Sequence, residues 1–490
     1  MRYPVLYQKN TRFWLAELSE SLGRQATLDD IPDEQLQRLA ELGFDWLYLY
    51  CMWDTSDIVT EMARSQPGLR AEASALMGEA SANTLCASCF AISGYAAPER
   101  WGGQEALKQF HARLNQHGLR LMLDFIPNHT GIGHPWASEH PDYYIHDTPE
   151  NHKHNPGSGI ANKTEQGSQI LMHGRDPYFP PWNDTLQLNY GNPALQDAMI
   201  GELLGLTELC DGVRCDMAML VIPQVFQRTW GVQSEPFWPK AIPKVKGFQP
   251  GFTFMAEVYW DLEHELIAQG FDYAYDKKLY DYLVKRQPRA AHDQMITQGH
   301  SITQMAHFLE NHDEPRAANI FPLEVHRAAA YISFLIPGLR FFHAGQEQGH
   351  LLKIPVQFCK PPNQPGHLKL EDFYTQLLKQ LKEITLKPDS WHLCRTSPAW
   401  EGNPTWHDFI VFCWLDEANE FWLAAIHYAS GVGQCYAQFP FSWSTQANYS
   451  FHDQLNSVVY ERSGAELHLK GVYLELPDWG YHLFHVQEIK

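Results

Sequence analysis

The feature that most constrains this chain is an alternation of short apolar runs with longer amphipathic stretches. Residues 44–50 read as a buried strand, and the stretch 33–42 before them sets Leu36, Leu39 and Ala40 at helical spacing. The alternation returns as a helix over 105–117 and a strand over 119–125, then as a helix over 194–209 and a strand over Gly212–Cys215. Residues 252–256, 271–275, 306–309 and Leu339–His343 supply four more strands, and an opening strand near 13–18 makes eight. Strands spaced by helices build a parallel sheet, and eight is the count of a closed (β/α)8 TIM barrel. The expected fold class is therefore α/β.

Two regions break the rhythm. From about 130 to 182 the chain is rich in His, Pro, Gly and Asn with little periodicity, and so long a connection inside a compact domain is usually functional or a small inserted domain. The segment 52–93 is also long and is expected to carry a helix around 60–79. After about residue 390 the helical pattern gives way to strand-like runs, residues 409–414 among them, which predict a C-terminal antiparallel β-sandwich. The expected domains are thus a barrel over 1–129 and 183–390, an insert over 130–182, and a sandwich over 391–490.

Composition narrows the partners. With 37 basic and 57 acidic side chains the net charge is 37 − 57 = −20, which repels nucleic-acid backbones and anionic membrane surfaces. Neither is an expected partner. No run of 18 apolar residues is present, so no membrane span is expected. The N-terminal residues lack a signal-peptide pattern, and nine scattered cysteines, an odd count, fit reduced thiols; both point to a cytoplasmic protein. Cys86-Ala87-Ser88-Cys89 is a single CxxC without the second pair that a zinc site needs.

The acids carry the functional signal. Asp124 ends one apolar run, Arg214 and Asp216 end another, Glu257 ends a third, and Asp313 follows a fourth. In a barrel the C-terminal strand ends form one rim, where active sites sit, so four acids and an arginine would converge there. Singly, an acid at a strand end is most often a helix cap or an ion-pair partner. Jointly, with His129 and His312 beside them, they form buried charge too costly to keep without a use.

These motifs resemble the alpha-amylase family of glycoside hydrolases over essentially the whole chain. They are Asp124-Phe125-Ile126-Pro127-Asn128-His129, Gly212-Val213-Arg214-Cys215-Asp216, Met255-Ala256-Glu257-Val258 and Phe308-Leu309-Glu310-Asn311-His312-Asp313, with Ser93-Gly94-Tyr95 and Gly345-Gln346-Glu347 as lesser matches. The resemblance implies a retaining alpha-glycosidase for alpha-1,4-linked glucans or maltooligosaccharides. It implies Asp216 as nucleophile, Glu257 as general acid/base and Asp313 as a third carboxylate on the sugar hydroxyls. His129, His312, Arg214 and Tyr95 are the implied substrate-binding residues, with Tyr95 stacking on the sugar. Asp124 and Asn128 are implied to organise the site. Burial of Glu257 near a second carboxylate is expected to keep it protonated.

Where many starch-cleaving relatives carry Lys-His after the nucleophile, this chain has Met217, Ala218, Met219 and Leu220; Met219 is expected to be core. Tyr259 and Trp260 could form an aromatic platform. No organic cofactor is implied. Asn128 matches a calcium-ligating position in several relatives, though it could equally brace the loop. The insert offers Asp142, Asp147 and Asp176 beside many histidines that prefer softer metals, so calcium is possible but not supported and the metal is left unknown. A 4-alpha-glucanotransferase would use the same intermediate, as would an enzyme acting on trehalose or sucrose. A catalytically silent carbohydrate-binding relative is the alternative of another class. The sequence specifies no oligomeric state.

Overall fold

The computed structural model describes residues 2–78, 84–164 and 167–489. Eight parallel strands close into a barrel: β1 (Val5–Asn10), β2 (Trp46–Tyr50), β3 (Arg120–Phe125), β4 (Gly212–Cys215), β5 (Thr253–Ala256), β6 (Tyr273–Tyr275), β7 (Met305–Phe308) and β8 (Leu339–His343). Each neighbours the next, and β1 neighbours β8. Every residue of β2, β4, β5, β7 and β8 is buried, which is why these strands read as unbroken apolar runs rather than alternating ones.

The first strand is not where the sequence placed it. Residues 13–18 lie inside the helix Thr11–Leu22, and β1 precedes it. The Asn10 side chain caps that helix by accepting the Phe13 N–H at 3.2 Å, and Gly23 ends it in the left-handed conformation at φ 67°. An Asn before and a Gly after an apolar stretch are helix boundaries. The helix expected around 60–79 is two, Asp57–Ser65 and Pro67–Met77, split where Pro67 starts the second. Glu79, its expected end, lies outside the described residues.

By residue contacts the chain forms two compact units, one of Leu6–Tyr275 and Lys353–Gln364, the other of Met1–Val5, Asp276–Leu352 and Pro365–Lys490. In the first unit, strand register levels the rim: Asp124 pairs with Arg214 across β3 and β4, and Cys215 with Ala256 across β4 and β5. The segment after β3 forms small antiparallel sheets, His129–Gly131 on Thr185–Gln187 and Gly167–Met172 between His146–Asp147 and Gly159–Thr164.

In the second unit, the C-terminal strands make a six-stranded and a three-stranded antiparallel sheet. Val411, Leu423 and Phe484 from one and Cys435, Val472 and Leu474 from the other share a single apolar core, the arrangement of a β-sandwich. None of the nine cysteines is joined in a disulfide. Among the described residues no helix is long and apolar enough to cross a membrane.

Candidate active site

The site is organised by Arg214, fully buried at the end of β4. Its Nη1 lies 2.7 Å from Asp216 Oδ1 and 3.1 Å from Asp124 Oδ1, and its Nη2 lies 2.8 Å from Glu257 Oε2. One planar guanidinium therefore grips three carboxyls that are far apart in sequence. Asp124 reaches it because it is the register partner of Arg214. Asp216 reaches it because residues two apart on a strand face the same side. Glu257 follows the neighbouring strand β5, and its backbone N–H bonds the Cys215 carbonyl at 3.1 Å.

Burial by itself would drive the proton off Arg214; Glu257, Tyr48, Tyr275 and Asp216 outweigh it and hold the guanidinium well above the ordinary arginine value. Tyr48 donates to Asp124 Oδ1 at 2.7 Å, and burial and that carboxylate keep its hydroxyl protonated. The Tyr275 hydroxyl accepts from Arg214 Nε at 3.4 Å, and Trp53 Nε1 donates to the Asp124 carbonyl at 2.7 Å. The Phe90 ring lies 5.2 Å from the guanidinium carbon.

Glu257 is held on both oxygens. Besides Arg214, Oε2 accepts the Met217 N–H at 2.6 Å, and Oε1 accepts the Tyr259 hydroxyl at 2.9 Å. The first of these depends on a strained backbone: Met217 stands at φ 42°, ψ 47°, a left-handed conformation that non-glycine residues rarely adopt, and the turn aims its N–H at Glu257. Glu257 is buried, and its oxygens meet two hydrogen-bond donors and the charge of Arg214.

His129 is buried against the Trp182 ring at 5.2 Å, and burial lowers its pKa to about 4, so it is neutral near pH 7. The Tyr95 hydroxyl accepts the Ile126 N–H at 2.9 Å and donates to the Ile126 carbonyl at 3.1 Å, while its ring stacks on Phe125. Asn128 turns its amide to Gln187, whose Nε2 donates to Asn128 Oδ1 at 3.0 Å. His312 and Asp313 belong to the other unit, where His312 Nε2 lies 2.9 Å from Asp313 Oδ2. The Asn311 side chain accepts the N–H groups of Asp313 and Glu314 and so shapes the turn that presents them.

Tyr48, Tyr275, Trp53 and Phe90 are partners that sequence reasoning missed, since a tyrosine in an apolar run carries no mark of the carboxylate it will meet. Of the proposed aromatic platform, Tyr259 bonds Glu257, whereas Trp260 packs edge-on against Tyr178 at 4.9 Å. Met219 is core, fully buried with Ala218 and Val221.

The residues considered for calcium each make hydrogen bonds within the protein. The Asn128 carbonyl oxygen is taken by Gln187, and Asp176 accepts the N–H groups of Tyr178 and Phe179. Asp147 accepts from Thr148 and Ser158, and Asp142 from Asn192. Among the described residues no group of three or more His, Cys, Asp or Glu is arranged to hold a metal.

The two acids tied to one arginine at adjoining strand ends lie within the stretch that a family model matches. Residues 33–362 match the family described as alpha amylase, catalytic domain. The chain belongs to the alpha-amylase family. Alpha-amylase 3 of Dictyoglomus thermophilum is 21% identical over 288 residues, covering 54% of this chain and 54% of that protein. Trehalose synthase/amylase TreS of Mycobacterium tuberculosis is 28% identical over 237 residues, covering 41% and 37%. The chain thus spans about half the length, or less, of these curated relatives. The alpha-amylase fold itself recurs in a noncanonic maltogenic alpha-amylase, AmyB, of Thermotoga neapolitana, at TM-score 0.71 and 16% identity over 99% of both chains.

Proposed function

We propose that this member of the alpha-amylase family is a retaining alpha-glycosidase acting on alpha-1,4-linked glucans or maltooligosaccharides through a covalent glycosyl-enzyme. The observation that carries the reading is the shared guanidinium: Asp216 and Glu257 bind adjacent nitrogens of Arg214. Retention needs a nucleophilic and a protonated carboxyl about 5–5.5 Å apart, close enough to flank one glycosidic bond.

In this reading Glu257 protonates the leaving oxygen while Asp216 attacks the anomeric carbon. Water, deprotonated by Glu257, then releases the sugar with net retention. Arg214 keeps Asp216 anionic and aligned. One cation facing three carboxyls leaves a surplus of negative charge, which suits a transition state of oxocarbenium character. Neutral His129 can both donate to and accept from sugar hydroxyls. As the family resemblance implies, Asp313 and His312 are assigned to sugar hydroxyls, and Tyr95 to a sugar ring face. The ring of Tyr95 has one face on Phe125, so only the opposite face could meet a sugar.

The test is a product profile on maltooligosaccharides, glycogen, isomaltose, trehalose and sucrose. Glucose and maltose from maltotriose support hydrolysis. Longer oligomers appearing early mark transfer instead, and turnover of trehalose alone would place the chain with the synthase relatives. No turnover of any alpha-glucoside would leave a silent carbohydrate-binding protein.

A further inference from the structure

Outside the charged site, the chemically unusual cluster is a second buried arginine set among thiols. Arg12 is 6% exposed, and its Nη1 donates to the Ala87 carbonyl at 2.6 Å and the Val356 carbonyl at 3.2 Å. Its remaining partner is sulfur, Cys86 Sγ at 3.1 Å. Among the described residues no carboxylate pairs with it. Cys51, Cys86, Cys89 and Cys359 all lie within its electrostatic reach. A guanidinium placed among them works against a bound metal cation. The CxxC of the sequence is also not one unit, because Cys86 hydrogen-bonds Cys359 while Cys89 hydrogen-bonds Cys51.

The two pairs differ in access. Cys51 and Cys89 are buried. Cys86 and Cys359 are half-buried and line a pocket of about 420 Å³ that also presents Arg64, Arg100, Lys360 and Asp57. Their backbones are locked side by side: Leu85 and Phe358 form an antiparallel bridge, the Cys86 N–H bonds the Gln357 carbonyl, and the Cys359 N–H bonds the Thr84 carbonyl, both at 2.8 Å. Leu85 and Phe358 are buried together in a small apolar cluster beneath.

We propose that Cys86 is a site of reversible oxidation by hydroperoxides and that Cys359 is its resolving thiol. Arg12 Nη1 reaches the sulfur of Cys86 at 3.1 Å, which favours an anion there. The contact with Cys359 lowers the pKa of Cys86, burial opposes this, and Arg12 and Arg100 lower it further, so we place the thiolate of the pair on Cys86. The same contact raises Cys359, which stays a thiol. The Cys86 thiolate attacks one peroxide oxygen and the O–O bond breaks. The departing alkoxide or hydroxide takes up a proton, and the sulfur, oxidised by two electrons, becomes a sulfenic acid. Cys359 then attacks that sulfur and gives up its proton; the sulfenic oxygen leaves as water and the disulfide forms.

The proposal is independent of the glycosidase reading and is tested by mass spectrometry on the whole protein. After brief exposure to hydrogen peroxide and alkylation of remaining thiols, the expected product is a linked Cys86–Cys359 peptide that dithiothreitol separates. In Cys359→Ser, dimedone is expected to capture sulfenic acid at Cys86; in Cys86→Ser, neither the link nor a dimedone adduct at Cys359 forms. With reduced protein and limiting iodoacetamide at pH 7, Cys86 is expected to react about tenfold faster than any other cysteine. A Cys86 that stays reduced in peroxide, a dominant link between other cysteines, or alkylation no faster than elsewhere would overturn the proposal.

Discussion

Arg214 and Arg12 are both buried guanidiniums, and the fold neutralises them in opposite ways. Arg214 faces three carboxyls and one tyrosine hydroxyl, whereas Arg12 faces two carbonyls and a thiol. Carboxyl groups are not consumed by oxidants, so the first arrangement persists. A thiolate is reactive and can be consumed, so the second is conditional. The chain joins them within a few residues, since Cys86 touches Arg12 and Phe90 lies over Arg214. The contrast teaches that a buried cation indicates chemistry through the kind of anion it meets.

Substitutions can break this contrast, and the largest effect is expected at the carboxylates. Asp216→Asn should lower turnover by several orders of magnitude while the circular dichroism spectrum and melting temperature stay close to those of the parent. Arg214→Met leaves three buried carboxyls without their cation and should cost about 3–5 kcal/mol in urea unfolding. Arg12→Met strands only carbonyl acceptors, because the thiols can take back a proton, and should cost about 1–3 kcal/mol in the same assay. Equal losses for the two arginines would erase the distinction.

Histidine supplies a third solution, which is to stay neutral. His129 and His134 are each lowered by burial from 6.5 to about 4. Between those values the unfolded chain binds protons that the folded one refuses, so stability should fall as pH drops from about 6.5 toward about 4. Glu310, raised to about 7 by burial, acts in the opposite sense and loses stability as pH rises through that value. Melting temperature against pH should show the acid slope, and His134→Gln should reduce it by at most about 1.4 kcal/mol per pH unit. The smallest effect is expected at Tyr259→Phe, which removes one donor from Glu257 and should lower kcat about tenfold, near 1.4 kcal/mol, with KM little changed.

Much of this was legible in the sequence for a simple reason. Strands buried on both faces write continuous apolar runs, and an acid that ends such a run stands out; that is how Asp124, Asp216 and Glu257 were found at β3, β4 and β5. The run at 13–18 misled because Phe13, Trp14, Leu15 and Leu18 are apolar in either conformation, and only the caps Asn10 and Gly23 distinguish helix from strand. The donors to Glu257 were hidden for another reason. The Met217 N–H is a backbone group aimed by a positive φ, which no side-chain pattern announces. The Cys86–Cys359 contact was equally silent, since the CxxC spacing drew attention to Cys89 instead.

The central claim is that Asp216 forms a bond to the sugar. Incubation with a 2-deoxy-2-fluoro-alpha-glucosyl fluoride, whose fluorines slow release of the intermediate, should add one fluoroglucosyl mass to the peptide containing Asp216 and to no other. The label should be absent from Asp216→Asn. A label on another carboxylate, or an inverted anomer as the first product seen by proton NMR, would contradict the account.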